Sequence, residues 1–237
     1  MCSSDLSSPR TLLLLAMAGA GHLSCATDEA PASAVAAISG GVNDTTHTNV
    51  VGITILGGGG LGTCTGSLLA PTLVLTARHC VSPVLGDGII CSAATIGGVP
   101  RTATLTQGAY PASSFFVTTD PVIGPGGRSV RAVEVITPPS SLNVPFCGRD
   151  IALLRLAAPI TTAAPIRPRL DLPPTARETF TASGYGSTSG AGTGSGTRRM
   201  RGGLLVQFVG RAVTRGVTVL EEKEWIADRS EEHTSEL

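Results

Sequence analysis

Aromatic and charged residues are scarce in this chain of 237 residues. Aromatic residues make up 3% and charged residues 14%, and the 17 basic groups balance the 17 acidic groups. A chain without excess charge has no electrostatic signature of a nucleic-acid partner, so we expect none. Hydrophobic residues make up 42%, which is ample for a core, but the core must be built mainly from Val, Leu, Ile and Ala.

Long hydrophobic runs are also missing. The apolar stretch at residues 12–18 follows Arg10 and precedes small residues. It is too short to span a bilayer, and the arrangement is typical of an export signal. We therefore expect residues 1–25 to be a signal segment, with no membrane span, and the protein to be secreted or in the cell envelope. Lys223 is the single lysine, which indicates a GC-rich, bacterial source.

Cys25 leaves two alternatives open. The segment HLSC at residues 22–25 resembles a bacterial lipobox, so Cys25 is a candidate for a lipid anchor, although His22 stands where a Leu is usual. The alternative is a leader cysteine that is removed with the signal.

No Cys-x-x-Cys pair occurs, which argues against a zinc site, and we expect neither a metal nor another cofactor. Beyond the leader four cysteines remain, namely Cys64, Cys80, Cys91 and Cys147. An even number suits disulfides in an oxidising compartment. Four cysteines allow three pairings, and the residues alone do not choose among them.

The two ends of the chain differ in composition from the sequence between them. Residues 229–237, RSEEHTSEL, match the in-frame translation of a common sequencing adapter, and residues 1–6, MCSSDL, resemble its opposite strand. We expect both ends to be adapter artefacts, and we give His233 no functional role.

The region after residue 37 has the composition and short apolar runs of an all-β domain. Residues 26–37 are small and contain Pro, which indicates a linker or short propeptide. The 30 Gly and 16 Pro residues indicate many turns. We expect a helical turn within residues 217–226 and a mobile loop over the Gly- and Ser-rich residues 183–203. Strands are predicted at residues 50–56, 62–69, 73–77, 101–105, 132–136, 151–156, 179–184 and 204–209.

His79 is the first candidate for chemistry. It ends the apolar run LVLTARHC and lies beside Cys80, and two strands turning at Pro71 would bring Cys80 close to Cys64. A base needs an orienting carboxylate. Asp150 directly precedes an apolar strand, and a half-buried carboxylate there has to be paired or hydrogen-bonded.

These residues carry a resemblance to a family. TARHC resembles the T-A-A-H-C signature of trypsin-like serine proteases, and DIALLRL resembles their D-I-A-L-L motif. ISGG at residues 38–41 resembles their I-V-G-G mature N-terminus, and SGYG at residues 183–186 resembles S-G-W-G. The resemblance covers residues 38–228 and implies two orthogonally packed six-stranded β-barrels, the second of them incomplete.

The resemblance also implies roles and partners. His79 would be the general base and acid, and Asp150 would fix its tautomer. Carried over by motif, Cys64 and Cys80 form the disulfide beside the histidine, and Cys91 and Cys147 are then expected to pair. Ile38 would be the mature N-terminus. We expect protein or peptide substrates and a monomer.

Departures from the family pattern limit this prediction. Arg78 replaces the usual Ala, a change that we expect to be accommodated if the side chain points outward. No GDSGG occurs, and Ser183, Ser187, Ser189 and Ser195 lack its Asp and Gly-Gly neighbours, so we interpret them as linker serines. We expect the nucleophile to lie beyond the end of this chain. The alternative is a non-catalytic homologue that acts as a secreted binding module.

Overall fold

The computed structural model describes residues 38, 40–57, 60–85, 95–96, 99–100, 104–105, 108–139, 144–145, 150–188, 193–209, 212–214, 217–220 and 225–227. These residues form strands and two single-turn 3₁₀ helices, Arg78–Cys80 and Ala112–Ser114, without an α-helix among them. The strands are β1 (Val42–Asn43), β2 (Val50–Gly57), β3 (Gly60–Ala70), β4 (Leu73–Thr76), β5 (Val84–Leu85), β6 (Thr95–Ile96), β7 (Val99–Pro100), β8 (Thr104–Leu105), β9 (Phe115–Thr118), β10 (Val130–Ile136), β11 (Val144–Pro145), β12 (Ala152–Leu156), β13 (Thr179–Gly184), β14 (Arg199–Val209), β15 (Ala212–Thr214), β16 (Val217–Leu220) and β17 (Trp225–Ala227).

Six strands close into an antiparallel barrel in the order β10-β12-β4-β3-β2-β9. Alternating side chains point inward, as the two-residue period of a strand requires. In β12, for example, Ala152, Leu154 and Leu156 are buried while Arg155 is exposed. The barrel core is aliphatic apart from Phe115 and Cys80, with Tyr110 packed against it, as the shortage of aromatic residues predicts.

A second, four-stranded sheet combines β1, which precedes the barrel in the chain, with three strands that follow it. Its strands run in the order β1-β14-β13, and β17 pairs with β14 beyond the stretch that holds β13. The described part of the chain is therefore all-β, with one closed barrel, this four-stranded sheet and three small sheets, β11-β8-β5, β15-β16 and β6-β7. This confirms the predicted fold class. No helix among the described residues is long and apolar enough to cross a membrane.

All eight predicted strands overlap observed ones, although the bounds differ by up to five residues. The helical turn predicted within residues 217–226 is wrong for residues 217–220 and 225–226, which lie in β16 and β17; residues 221–224 lie outside the described residues. The β-branched residues of VTVL favour an extended conformation.

The mobile loop predicted over residues 183–203 is also wrong for the part that the structure describes, residues 183–188 and 193–203. Tyr185 and Arg198 are fully buried, and β14 begins at Arg199. The high Gly and Ser content suggested a loop, but Tyr185 and Arg198 within this stretch have polar atoms that make hydrogen bonds inside the fold.

Candidate active site

Strands β4 and β12 bring His79 and Asp150 together. They are antiparallel neighbours with Thr76 opposite Ala152. His79 follows β4 by three residues and Asp150 precedes β12 by two, so the register brings both residues to the same end of the strand pair. Residues 71 positions apart in the chain thus become neighbours.

The Asp150 carboxylate accepts two hydrogen bonds from His79. The backbone N–H donates to Oδ1 at 2.8 Å, and ring Nδ1 lies 2.7 Å from Oδ2. The Asp150 side chain is 15% exposed and that of His79 is 44% exposed. The ring is therefore fixed on its Nδ1 side and remains partly exposed to solvent, which is the arrangement that a general base requires.

A disulfide holds the turn that carries His79. Cys80 is bonded to Cys64 of β3, with 6.1 Å between the two Cα atoms. Thr76 adds a second link to β3, because its Oγ1 donates to the Thr65 carbonyl at 2.8 Å. The backbone on both sides of His79 is thus linked to the neighbouring strand.

Cys64, His79 and Cys80 also form a group of possible metal ligands, whose donor atoms lie within 4.8 Å of one another. Zinc and related metals bind cysteine as the thiolate. Because the two sulfurs here are joined to each other, neither is a thiolate, and we interpret the group as a disulfide beside a histidine.

Arg78 does not point outward, although we expect this residue to be accommodated with an outward-pointing side chain. The residue is 3% exposed, whereas its neighbour His79 is exposed. A 3₁₀ helix has three residues per turn, so successive side chains in Arg78–Cys80 point in different directions. Exposure of His79 is accompanied here by burial of both flanking residues.

The remaining predicted site residues fall in several places. Ile38 is buried, and its N–H donates to the Ser187 carbonyl at 3.0 Å. Ser187 is buried and Ser183 donates to a carboxylate, so neither is a linker serine, whereas Ser195 lies in an exposed turn. Cys25, Cys91, Cys147, Ser189 and His233 lie outside the described residues.

A buried polar cluster that the sequence prediction missed centres on Asp44 and Arg198. Asp44 Oδ2 accepts from Ser183 Oγ at 2.6 Å and lies 2.9 Å from ring Nδ1 of His47. Arg198 Nε lies 4.0 Å from the same carboxylate oxygen. Burial raises the pKa of Asp44, but hydrogen bonds from Ser183 and from the backbone outweigh it and leave the pKa well below its usual range.

One signal for this cluster was visible in the segment DTTH. An Asp that precedes small polar residues often accepts hydrogen bonds from the next backbone amides. Asp44 Oδ1 does so from the N–H groups of Thr46 and His47, at 2.9 and 3.1 Å. No comparable signal marked Arg198.

Comparison with known families agrees with the fold. The sequence model of the trypsin family matches residues 38–217. The chain belongs to the trypsin family. The matched region includes His79, Asp150, the disulfide and all of the barrel.

A solved structure supports the trypsin-like fold. The scabies mite inactivated protease paralogue S-D1 matches with a TM-score of 0.52 and 20% identity, over 72% of this chain and 64% of that one. A structure described as GrC matches with a TM-score of 0.47 and 20% identity, over 72% and 66%. The chain spans slightly less than two thirds of the length of each. A search of curated proteins found no match.

Proposed function

We propose that the intact protein is an exported serine endopeptidase of the trypsin family, in which His79 and Asp150 serve as two members of the catalytic triad. The double hydrogen bond between these residues carries the proposal. The nucleophilic serine is supplied by sequence beyond these 237 residues, none of which form the GDSGG motif.

In this mechanism Nδ1 of His79 keeps its proton and donates it as a hydrogen bond to Asp150, so the basic lone pair of the ring is on Nε2. Nε2 takes the proton of the serine hydroxyl as the serine oxygen bonds to the peptide carbonyl carbon. When the carbon–nitrogen bond breaks, the same proton passes to the leaving amine. A water then releases the acyl group by the reverse sequence, and no cofactor takes part.

Asp150 contributes by orientation and charge. Its carboxylate accepts from the backbone and from the ring of one residue, which fixes both the position of His79 and its tautomer. The negative charge also stabilises the imidazolium that forms during the reaction. Proteins and peptides are the proposed substrates.

Sequencing the gene beyond the codon for Asp228 tests this proposal. An in-frame Gly-Asp-Ser-Gly-Gly supports the enzyme, and a substituted serine contradicts it and favours a secreted binding module. The extended protein should hydrolyse peptide substrates, and H79A should abolish this activity. The 237-residue chain itself should resist labelling by a fluorophosphonate, and strong labelling would reveal a nucleophile within it.

A further inference from the structure

Arg198 links the second sheet to the barrel through its side chain. The residue directly precedes β14 and is 1% exposed. Its Nη1 lies 3.1 Å from the carbonyl of Val50, the first residue of β2, and 3.0 Å from the carbonyl of Thr119, just after β9. Both acceptors belong to barrel strands or their ends.

The same guanidinium holds groups outside the barrel. Nε donates to the carbonyl of Asp44 at 3.1 Å, and Nη1 lies 3.0 Å from the hydroxyl oxygen of Tyr185. A guanidinium presents its donors in a fixed fork, so one side chain can join acceptors on separate segments. The nearby Asp44 carboxylate offsets the cost of burying the charge.

Tyr185 extends this link. Its hydroxyl donates to the carbonyl of Asp120 at 2.6 Å while it accepts from Arg198. Burial raises the pKa of Tyr185, so the hydroxyl keeps the proton that it donates. Its backbone N–H donates to Thr65 Oγ1 at 2.9 Å, on the barrel strand that also holds Cys64.

Main-chain hydrogen bonds lie beside these side chains. The N–H of Arg198 donates to the carbonyl of Pro121, and the N–H of Ile123 donates to that of Gly196, both at 2.7 Å. Val122 and Thr197 form an isolated antiparallel bridge between the two pairs. We call these two hydrogen bonds the connecting ladder.

We propose that Arg198 is a positioning residue that fixes the β13–β14 sheet against the barrel carrying His79 and Asp150. Its effect reaches the site through Thr65, because Thr65 accepts from Tyr185 and from Thr76, and its neighbour Cys64 is bonded to Cys80. The catalytic consequence rests on the proposed function, since it assumes a nucleophile held by the second half. A displacement of about 1 Å between reacting groups is costly in rate.

Amide hydrogen exchange by NMR on the 237-residue chain tests the positioning role without any activity. The two amides of the connecting ladder are those at position 198 and at Ile123. In R198M both should exchange about 10-fold faster or more. The barrel amides of Ile53 and Val117 should be unchanged. R155M is the matched control, because Arg155 is an exposed barrel arginine.

Two further variants keep the test decisive if R198M does not fold. R198K retains the charge but not the fork, and Y185F removes only the hydroxyl; each should accelerate exchange at Ile123. Unchanged exchange in the connecting ladder, or an equal increase at Ile53 and Val117, would overturn the proposal.

A separate readout concerns rate. In an extended protein that contains the serine, R198K should lower kcat while KM stays within about 2-fold, since positioning acts on the reacting groups. An inactive extended protein would contradict the proposed function and leave the exchange result standing. An active one with unchanged kcat in R198K would overturn the catalytic part of this proposal.

Discussion

Asp150 binds the backbone and the ring of a single residue, His79, with one carboxylate oxygen each. The backbone N–H is a donor at every pH, so the oxygen that faces it must accept. The second oxygen is then the one left for the ring. This division makes the effect of an amide at position 150 predictable.

D150N should reverse the tautomer of His79. The amide oxygen has to face the backbone N–H, which leaves the NH₂ group facing Nδ1, so the ring must present a lone pair there and carry its proton on Nε2. Ring ¹H–¹⁵N correlation spectra, recorded with the His79 ring in its neutral form, would detect the change, with His47 as an internal control. In an active extended protein the kcat should fall by about 10⁴-fold. A ring that keeps its proton on Nδ1 in D150N would contradict this account.

Removing the disulfide beside His79 should destabilise the barrel. C64A/C80A opens a loop with a sequence separation of 16 residues, and the free energy of unfolding should fall by roughly 3 kcal/mol in the chain-entropy model. Urea unfolding of both proteins under oxidising conditions measures the difference. Equal midpoints and slopes in the two curves would be inconsistent with a disulfide that limits the unfolded chain.

The barrel could be predicted largely from short apolar runs. The runs LVLT and ALLRL are each bounded by turn residues or by a charged group, so β4 and β12 stood out. Strand β9 was not predicted, although FFVT is as short and as apolar as LVLT, because periodicity does not distinguish a buried strand of this length from other buried segments. It nevertheless closes the barrel between β2 and β10.

The candidate site also has one part that could be predicted from the sequence and one part that could not. His79 and Asp150 were visible because each lies at the end of a strand in a recognisable motif. The Asp44–Arg198 cluster was not, since it joins residues 154 positions apart and lies partly within a Gly- and Ser-rich stretch. Local composition describes the backbone freedom of such a stretch, but it carries no information about long-range hydrogen bonds to individual side chains.

Asp44 should make the stability of the fold depend on pH. Its pKa is lower in the folded state than the ordinary value, so the ionised carboxylate stabilises the fold above about pH 4, and this contribution is lost as the pH falls through the folded-state value. D44N leaves Arg198 buried beside a neutral group, so at pH 7 the free energy of unfolding should drop by roughly 3 kcal/mol.

The difference between wild type and D44N should narrow below about pH 4, as wild-type Asp44 begins to lose its contribution. Urea midpoints measured between pH 7 and the acid limit of folding would show this convergence. E134Q is the control, because Glu134 forms an exposed pair with Arg155 and should show a much smaller effect. A difference that stays constant with pH would contradict the assignment.

Gly66 should be essential to the packing of the barrel, unlike Gly60 of the same strand. A Cβ at Gly66 would lie 2.6 Å from Val74 Cγ1 and 2.9 Å from the Leu75 carbonyl oxygen, whereas a Cβ at Gly60 would meet nothing within 4 Å. The contact with Leu75 involves backbone, so β3 and β4 would have to separate to admit a methyl group. We expect G66A to lower the free energy of unfolding by about 1–3 kcal/mol and G60A to have little effect. Because β4 leads directly to His79, G66A should also broaden or shift the His79 ring resonances. If G66A were as stable as G60A, the close approach of β3 and β4 at Gly66 would not constrain the fold.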